Sequence, residues 1–503
     1  MSLIRTNFLS STDLWNFGTY WNSLFQIMLI CGLLILAHVI RRNIPFLRRM
    51  LIPTAVIAGF LGLGFKYLFN QVGAQIEGFP LIDSNFMNVI TYHALAIGFI
   101  SIGFVTSNKK RIKDGSAVKS GLLIASTYTI QGIVGIVVSI VLSFIFIGIG
   151  SNFALNNAPY AGILLPLAFG QGPGQAGNFG NTFQSLIGTE FGEYALAGGR
   201  DFGLALAALG TLAAVIPGTI FLNIFAARGH VKREVDIETK VFSDAANPVD
   251  VEGEIASTES TDKLAIQLAI VGITYLATYF LMFGLTALFV DLLGIKFLQP
   301  LLWGFNFLFA LLVTVLVKSI YNKLRRKHVI KRGYLNNYMM SRISGTAFDM
   351  MIVSAIMSIE IANITEPSIL TLLITLTLVG TLVTSIYVYF VAKNHFKSRF
   401  VHTFIVFYGN LTGTASNGLA LLREIDPELQ SGASDDLIEG STFAILFGAP
   451  ILAILSFVYQ GPVGLYVSLG ILVVYFALSY TGLVLYSRHK SKKLARLNEQ
   501  QEK

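Results

Sequence analysis

The chain has 503 residues, of which 54% are apolar and only 13% charged, with a formal net charge of +8. Soluble globular domains carry about 25% charge, so the composition excludes an ordinary soluble protein. The single cysteine, Cys31, excludes disulfides and a cysteine metal cluster.

Apolar runs of about 20 residues recur along the chain, the length that crosses a hydrocarbon core of about 30 Å. The first, at about 21–40, follows a polar N-terminal stretch and is longer than a signal-peptide core, so it reads as a retained helix. Further spans are predicted at about 51–70, 85–106, 121–150 and 201–226. A second set follows at about 264–288, 301–320, 345–364, 370–392, 442–459 and 463–486. The fold class is therefore an all-α polytopic membrane protein with about eleven transmembrane helices.

Two apolar stretches, at about 161–187 and 402–422, are too short and glycine-rich to cross. Each reads as a re-entrant hairpin. The first has Gly170-Gln171-Gly172-Pro173-Gly174 at its tip, and the second has Gly409-Asn410-Leu411-Thr412-Gly413-Thr414. Ten residues of helix reach about 15 Å, which puts each tip near the membrane midplane. Unwound backbone at that depth must line a protein-enclosed cavity, because lipid cannot satisfy its N–H and C=O groups.

The hairpins also order the basic residues. With both as re-entrant elements and the N-terminus outside, every Lys and Arg except Arg5, Lys66, Arg200 and Lys296 falls in a cytoplasmic segment. The +8 charge thus reads as membrane topology rather than nucleic-acid binding. The C-terminus is then cytoplasmic.

A polar segment at 229–262 holds nine acidic residues and reads as a solvated cytoplasmic linker. It divides the chain into 1–228, with five spans and the first hairpin, and 263–460, with five spans and the second. Residues 461–503 add one helix and a basic tail. Four spans, a hairpin and a span occur in each half, starting from opposite sides, so the halves form two inverted-topology repeats by hydropathy and order.

Such hairpins suit a solute site. The second arm of each begins at the tip with its positive helix end, which attracts a carboxylate. Candidate solute-contacting residues are Gln171, Gly172, Gly174, Asn178, Asn181, Thr412, Gly413, Thr414, Ser416 and Asn417. Arg200 is a further candidate as a carboxylate clamp, although it also reads as a surface partner of Asp201. Carbonyl and hydroxyl oxygens suit Na⁺, and Asp349, Asn410 and Thr412 are its candidate ligands. Asp349 also reads as a helix N-terminal carboxylate, Glu360 as interfacial, and His93 as a packing residue or a proton relay. No HExxH, GxSxG or phosphate-binding loop occurs, so an enzyme is not expected.

The stretches FLRRMLIPTAVIAGFLGLG from Phe46, FGQGPGQAGNFGNTFQ, FGLALAALGTLAAVIPG and FYGNLTGTASNGLALL resemble the bacterial sodium/glutamate symporter family. The resemblance implies Na⁺-coupled import of glutamate or a related small carboxylate across the bacterial inner membrane. It also implies a homodimer and hairpin-bearing transport domains that move against a scaffold. The family's first tip usually carries a histidine-glycine-threonine run, where this chain has Gln171-Gly172-Pro173-Gly174. The other readings are the same architecture with another substrate or H⁺ coupling, a channel, or an intramembrane enzyme acting on lipid.

Overall fold

A computed structural model describes residues 21–49, 52–73, 75, 81–105, 116–149, 158–231, 263–294, 298–330, 333–426 and 431–501. The acidic linker, apart from residues 229–231, lies outside them. Helix dominates, and no β-strand occurs among the described residues. In chain order the helices are α1 Asn22–Asn43, α2 Thr54–Gly73, α3 Ser84–Phe104, α4 Ser116–Gly148, α5 Leu165–Gly170, α6 Pro173–Gln184 and α7 Gly199–Ala227. After the linker come α8 Lys263–Thr286, α9 Asn306–Arg326, α10 Asn337–Met357, α11 Pro367–His395, α12 Phe400–Thr412, α13 Ala415–Arg423, α14 Ala433–Ile454 and α15 Gly461–Gln501.

Among the described residues, nine helical segments are long and apolar enough to cross a membrane: α1, α2, α3, α4, α7, α8, α9, α11 and α15. Each coincides with an expected span. The other two expected spans overlap α10 and α14, and α14 runs from Ala433 to Ile454 rather than from about 442 to 459. Arg342, Ser344, Thr346 and Asp349 lower the hydropathy of α10 and keep it out of the set. Its expected boundary also moves. The helix begins at Asn337, where Asn336 accepts a hydrogen bond from Met339 N at 3.0 Å, and it ends at Met357 rather than near residue 364. An Asn side chain holding an otherwise orphaned N–H is a strong start signal that an apolar run does not reveal.

The chain folds into two compact units, and each draws on both sides of the linker. Unit one contains α1, α2, α3, α8, α9 and α10. Its core includes Ala96, Ile100 and Phe104 from α3, Val271 from α8, Ala310 from α9 and Met340 from α10. Small residues let α10 approach its neighbours. A methyl group built on Gly98 would stand 2.5 Å from the Phe348 ring, and one on Gly59 would stand 2.8 Å from Ile356. Hydroxyls knit the same seam: Thr91 Oγ1 lies 2.9 Å from Ser354 Oγ, and Ser344 Oγ donates to Gly98 O at 3.1 Å. Buried polar groups of this kind are held by partners because an unmade hydrogen bond is costly.

Two lysines close helix ends in unit one. Lys66 Nζ donates to Ile359 O at 2.9 Å and to Ser84 Oγ at 3.0 Å. Lys318 Nζ donates to Gly103 O in the last turn of α3 and to Val105 O just after it, at 2.9 and 2.8 Å. Cations at helix C-termini satisfy orphaned carbonyls and oppose the helix dipole.

Unit two contains α4 to α7 and α11 to α15. Leu123, Leu222, Val388, Phe404, Phe407, Tyr408 and Leu421 lie in its core. Each half of the chain therefore contributes three long helices to unit one. Each then contributes a helix, a helical hairpin and a further helix to unit two, with α15 added at the end.

Candidate functional site

Both glycine-rich stretches fold as helical hairpins in unit two. The first runs through a short 3-10 turn, Ala161–Leu164, into α5, turns at Gln171 and Gly172, and leaves along α6. Residues 161–169 are all buried. The turn depends on Gly172, whose φ of 85° and ψ of −177° form a conformation essentially confined to glycine. Pro173 then supplies the fixed φ that opens a helix and lacks the N–H that would be orphaned there. The second hairpin runs down α12, turns at Gly413 and Thr414, and leaves along α13. The α12 residues 403–412 are all buried.

The two tips meet. A methyl group built on Gly172 would stand 3.3 Å from Thr414 Cγ2. Gly172 and Thr414 are the N-cap residues of α6 and α13, and neither helix start receives a side-chain capping hydrogen bond. Two helix N-termini with first-turn N–H groups unused inside the helix thus open at one contact. Each carries a partial positive charge of about half a unit.

Helix α7 runs beside both hairpins, and its small residues set the spacing. A methyl group on Gly203 would stand 2.3 Å from Ala176 O, and one on Gly210 would stand 2.7 Å from Thr412 O. Ala214 lies under Gly413, and Gly218 faces Leu421. Tyr408 Oη donates to Ala213 O at 2.7 Å, which ties α12 to the same helix.

On another side, α4 holds both turns by side chains. Tyr128 Oη donates to Gly170 O at 3.1 Å, and Ser139 Oγ accepts from Gly162 N at 2.7 Å. Gln131 Nε2 donates to Leu411 O and to Thr384 Oγ1, both at 2.8 Å. Carbonyls next to the unwound turns are therefore occupied by side chains rather than left bare.

The expected residues divide by location. Gly172, Gly174, Thr412, Gly413 and Asn417 are buried at the two tips, with Gln171 and Thr414 half-buried beside them. Gln171 also borders a small cleft with Tyr128, Pro166 and Ile451. Asn178 is half-buried on α6, and its Nδ2 finds no hydrogen-bond partner among the described residues. Asn181 and Ser416 are exposed. Asn410 is buried, and Thr412 Oγ1 donates to Tyr408 O at 2.6 Å, which leaves its oxygen lone pairs for a cation.

Arg200 lies away from the tips, and Asp349 is on neither hairpin. Arg200 starts α7, where its backbone N donates to Gln184 Oε1 at 3.4 Å, so it sits at the far end of α6 from the tip. That separation is about 16 Å along the helix. Its guanidinium lies 3.4 Å from Asp201 Oδ1. The pairing is as expected, but the surface location is corrected. Asp201 is 0% exposed and also accepts from Asn363 Nδ2 at 2.7 Å and Glu360 N at 3.1 Å. Asp349 belongs to unit one, on α10, with an exposed side chain. His93, also in unit one, has Nδ1 2.7 Å from Tyr275 Oη.

The structure adds residues that the motifs did not single out. Gln131 and Gln175 are buried, and the side-chain oxygen of each finds no partner among the described residues. Asn417, already expected at the second tip, lacks a partner among the described residues for both its amide nitrogen and its oxygen. A buried polar atom left unpaired costs about 1–3 kcal/mol. Glutamines in a glycine-rich stretch are visible in sequence, but their burial is a tertiary property. Among the described residues no group of three or more His, Cys, Asp or Glu is placed to hold a metal. The oxygen-bearing side chains at the two tips, those of Gln171, Thr412, Thr414 and Asn417, are all neutral.

Among the described residues, nine apolar spanning candidates and two buried helical hairpins, with no β-strand, define a polytopic membrane protein. Residues 20–398, about three quarters of the chain, match the sodium/glutamate symporter family model. The chain belongs to that family, which is one of transporters. The match ends two residues before α12, so the first hairpin lies inside it and the second beyond it. No curated protein matches the chain.

Proposed function

We propose that the chain is a secondary active transporter that imports glutamate or a related small carboxylate together with Na⁺ by alternating access. The meeting of two uncapped helix N-termini carries this reading. A carboxylate there gains several N–H donors and two favourable dipole ends without a buried lysine or arginine. The hairpins are re-entrant, and the two halves, 1–228 and 263–460, are inverted repeats. Unit two is the moving, solute-bearing part of an elevator-like cycle, and the protein works as a homodimer in the bacterial inner membrane. The N-terminus lies outside and the C-terminus in the cytoplasm.

In this reading Gln171, Gly172, Gly174, Thr412, Gly413, Thr414 and Asn417 surround the solute. Asn178, Asn181 and Ser416 lie on the same two arms, while Arg200 acts from the far end of α6. Asn410 and Thr412 offer oxygens to Na⁺, and Asp349 is the carboxylate candidate in unit one. Coupling follows from electrostatics. A bound Na⁺ and a bound carboxylate attract each other strongly in a low-dielectric site, so each raises the affinity for the other by the same factor.

The test is uptake of labelled glutamate into proteoliposomes of purified protein. Concentrative uptake that requires an inward Na⁺ gradient is expected. Flat uptake with folded protein, or uptake driven equally well by a proton gradient alone, overturns the reading.

A further inference from the structure

The second arms of the two hairpins share a feature. In α6 the third helical residue is Gln175, and in α13 it is Asn417. Both are amides, and they are 2% and 1% exposed. Among the described residues the side-chain oxygen of each finds no hydrogen-bond partner, nor does Asn417 Nδ2. A Gln at this position ordinarily reaches back to the N-cap N–H and closes a capping box. Gln175 does not do so with Gly172. Asn417 instead folds back on the tip, since a methyl group built on Gly413 would stand 2.2 Å from its Nδ2. Each amide lies about 5 Å along its helix from an N-cap residue, and those N-cap residues touch.

The geometry points to Gln175 and Asn417 as a pair that takes the α-ammonium group of an amino-acid solute, while its carboxylates lie on the free N–H groups of the two arms. This rests on the proposed function and narrows its substrate class. An amide oxygen accepts from an ammonium, and Asn417 Nδ2 has donors left for a carboxylate. The N-termini of α6 and α13 repel a bare cation placed on them, so the ammonium enters there only as part of a solute that also carries negative charge, whereas Asn410 and Thr412 lie at the C-terminal, negative end of α12. Neutral amides fit that task. A carboxylate in their place would cancel the positive field that holds the anion.

The site therefore selects for an α-amino acid over a dicarboxylate of the same length. A site built to hydrogen-bond a group rejects the analogue that lacks it, because its own polar atoms then stay unpaired.

The probe is glutarate, which is glutamate without its ammonium group, in Na⁺-driven uptake of labelled glutamate by the full-length protein. Wild-type protein is expected to need at least about tenfold more glutarate than unlabelled glutamate for half inhibition. In Gln175→Met and Asn417→Leu the half-saturating glutamate concentration rises about tenfold while the glutarate value stays within about threefold, so the selectivity narrows. Equal competition by glutarate in the wild type overturns the inference and needs no variant that might misfold. Variants that weaken both compounds equally overturn it too, because that is the signature of a structural role. Wild-type protein that takes up no carboxylate with Na⁺ defeats the proposed function and this inference together. Na⁺-driven glutamate uptake without the selectivity defeats only this one.

Discussion

Gly172 occupies a backbone region that other residues enter only with strain, and it faces Thr414 across the contact between the tips. Gly172→Ala is expected to cost about 1–3 kcal/mol of local strain. Glutamate uptake should fall about tenfold or more while the protein stays folded, because the turn is short and its neighbours can shift. Uptake at the wild-type rate would show that the tip tolerates another conformation. Asp201 predicts a different outcome. Its carboxylate accepts from Asn363 Nδ2 and Glu360 N, so Asp201→Asn turns one acceptor into a donor facing a donor. A loss of about 1–3 kcal/mol in stability follows, visible as a lower thermal midpoint. The glycine-rich turns were legible in the residues, since no helix former explains such a run. Asp201 was not, because its partners lie 159 and 162 residues downstream and only the fold brings them to it. Gln175 escaped for the same reason: a polar letter on a short arm says nothing of its burial.

Close helix approach explains many of the glycines in the hairpin region. Gly135 on α4 lies so near the first hairpin that an added methyl group would stand 2.0 Å from Gly162 O, a backbone atom with little freedom to move. Gly32 on α1 has nothing within 4 Å of the same point. Gly135→Ala is expected to lower the thermal midpoint sharply. Gly32→Ala should leave it unchanged or raise it, since Ala is about 1 kcal/mol better than Gly inside a helix. Similar melting of the two variants would mean that the packing of α4 against the hairpin is looser than this geometry. Most long helices were legible as apolar runs because lipid demands them. The start of α10 at Asn337 was not, because a polar first turn hides from a hydropathy reading and is fixed by the Asn336 cap.

The acidic segment lies between the two expected halves of the chain, and each compact unit draws on residues from both sides of it. Hydropathy gave the order of elements and could not give that partition, because packing partners far apart in sequence leave no periodic signal. The partition matters for the ion. Asn410 and Thr412 lie in unit two, and Asp349 lies in unit one with an exposed carboxylate. A charge on an expected spanning helix is costly, and such charges usually mark a function. Asp349→Asn is therefore expected to raise the Na⁺ concentration for half-maximal uptake by about tenfold, and Thr412→Val to do the same. An unchanged Na⁺ dependence in either variant removes that residue from the ligand set.

The claim that solute binds where the hairpin tips meet is tested most directly by chemical protection. Cys31 is the only cysteine, so Cys31→Ala gives a silent background in which Ser416→Cys places one exposed thiol in the first turn of α13. Glutamate with Na⁺ should slow thiol alkylation at that position by about tenfold, and Na⁺ with an equal concentration of sulfate should not. Alkylation that proceeds at one rate under both conditions, in protein that still takes up glutamate, would place the site away from the tips.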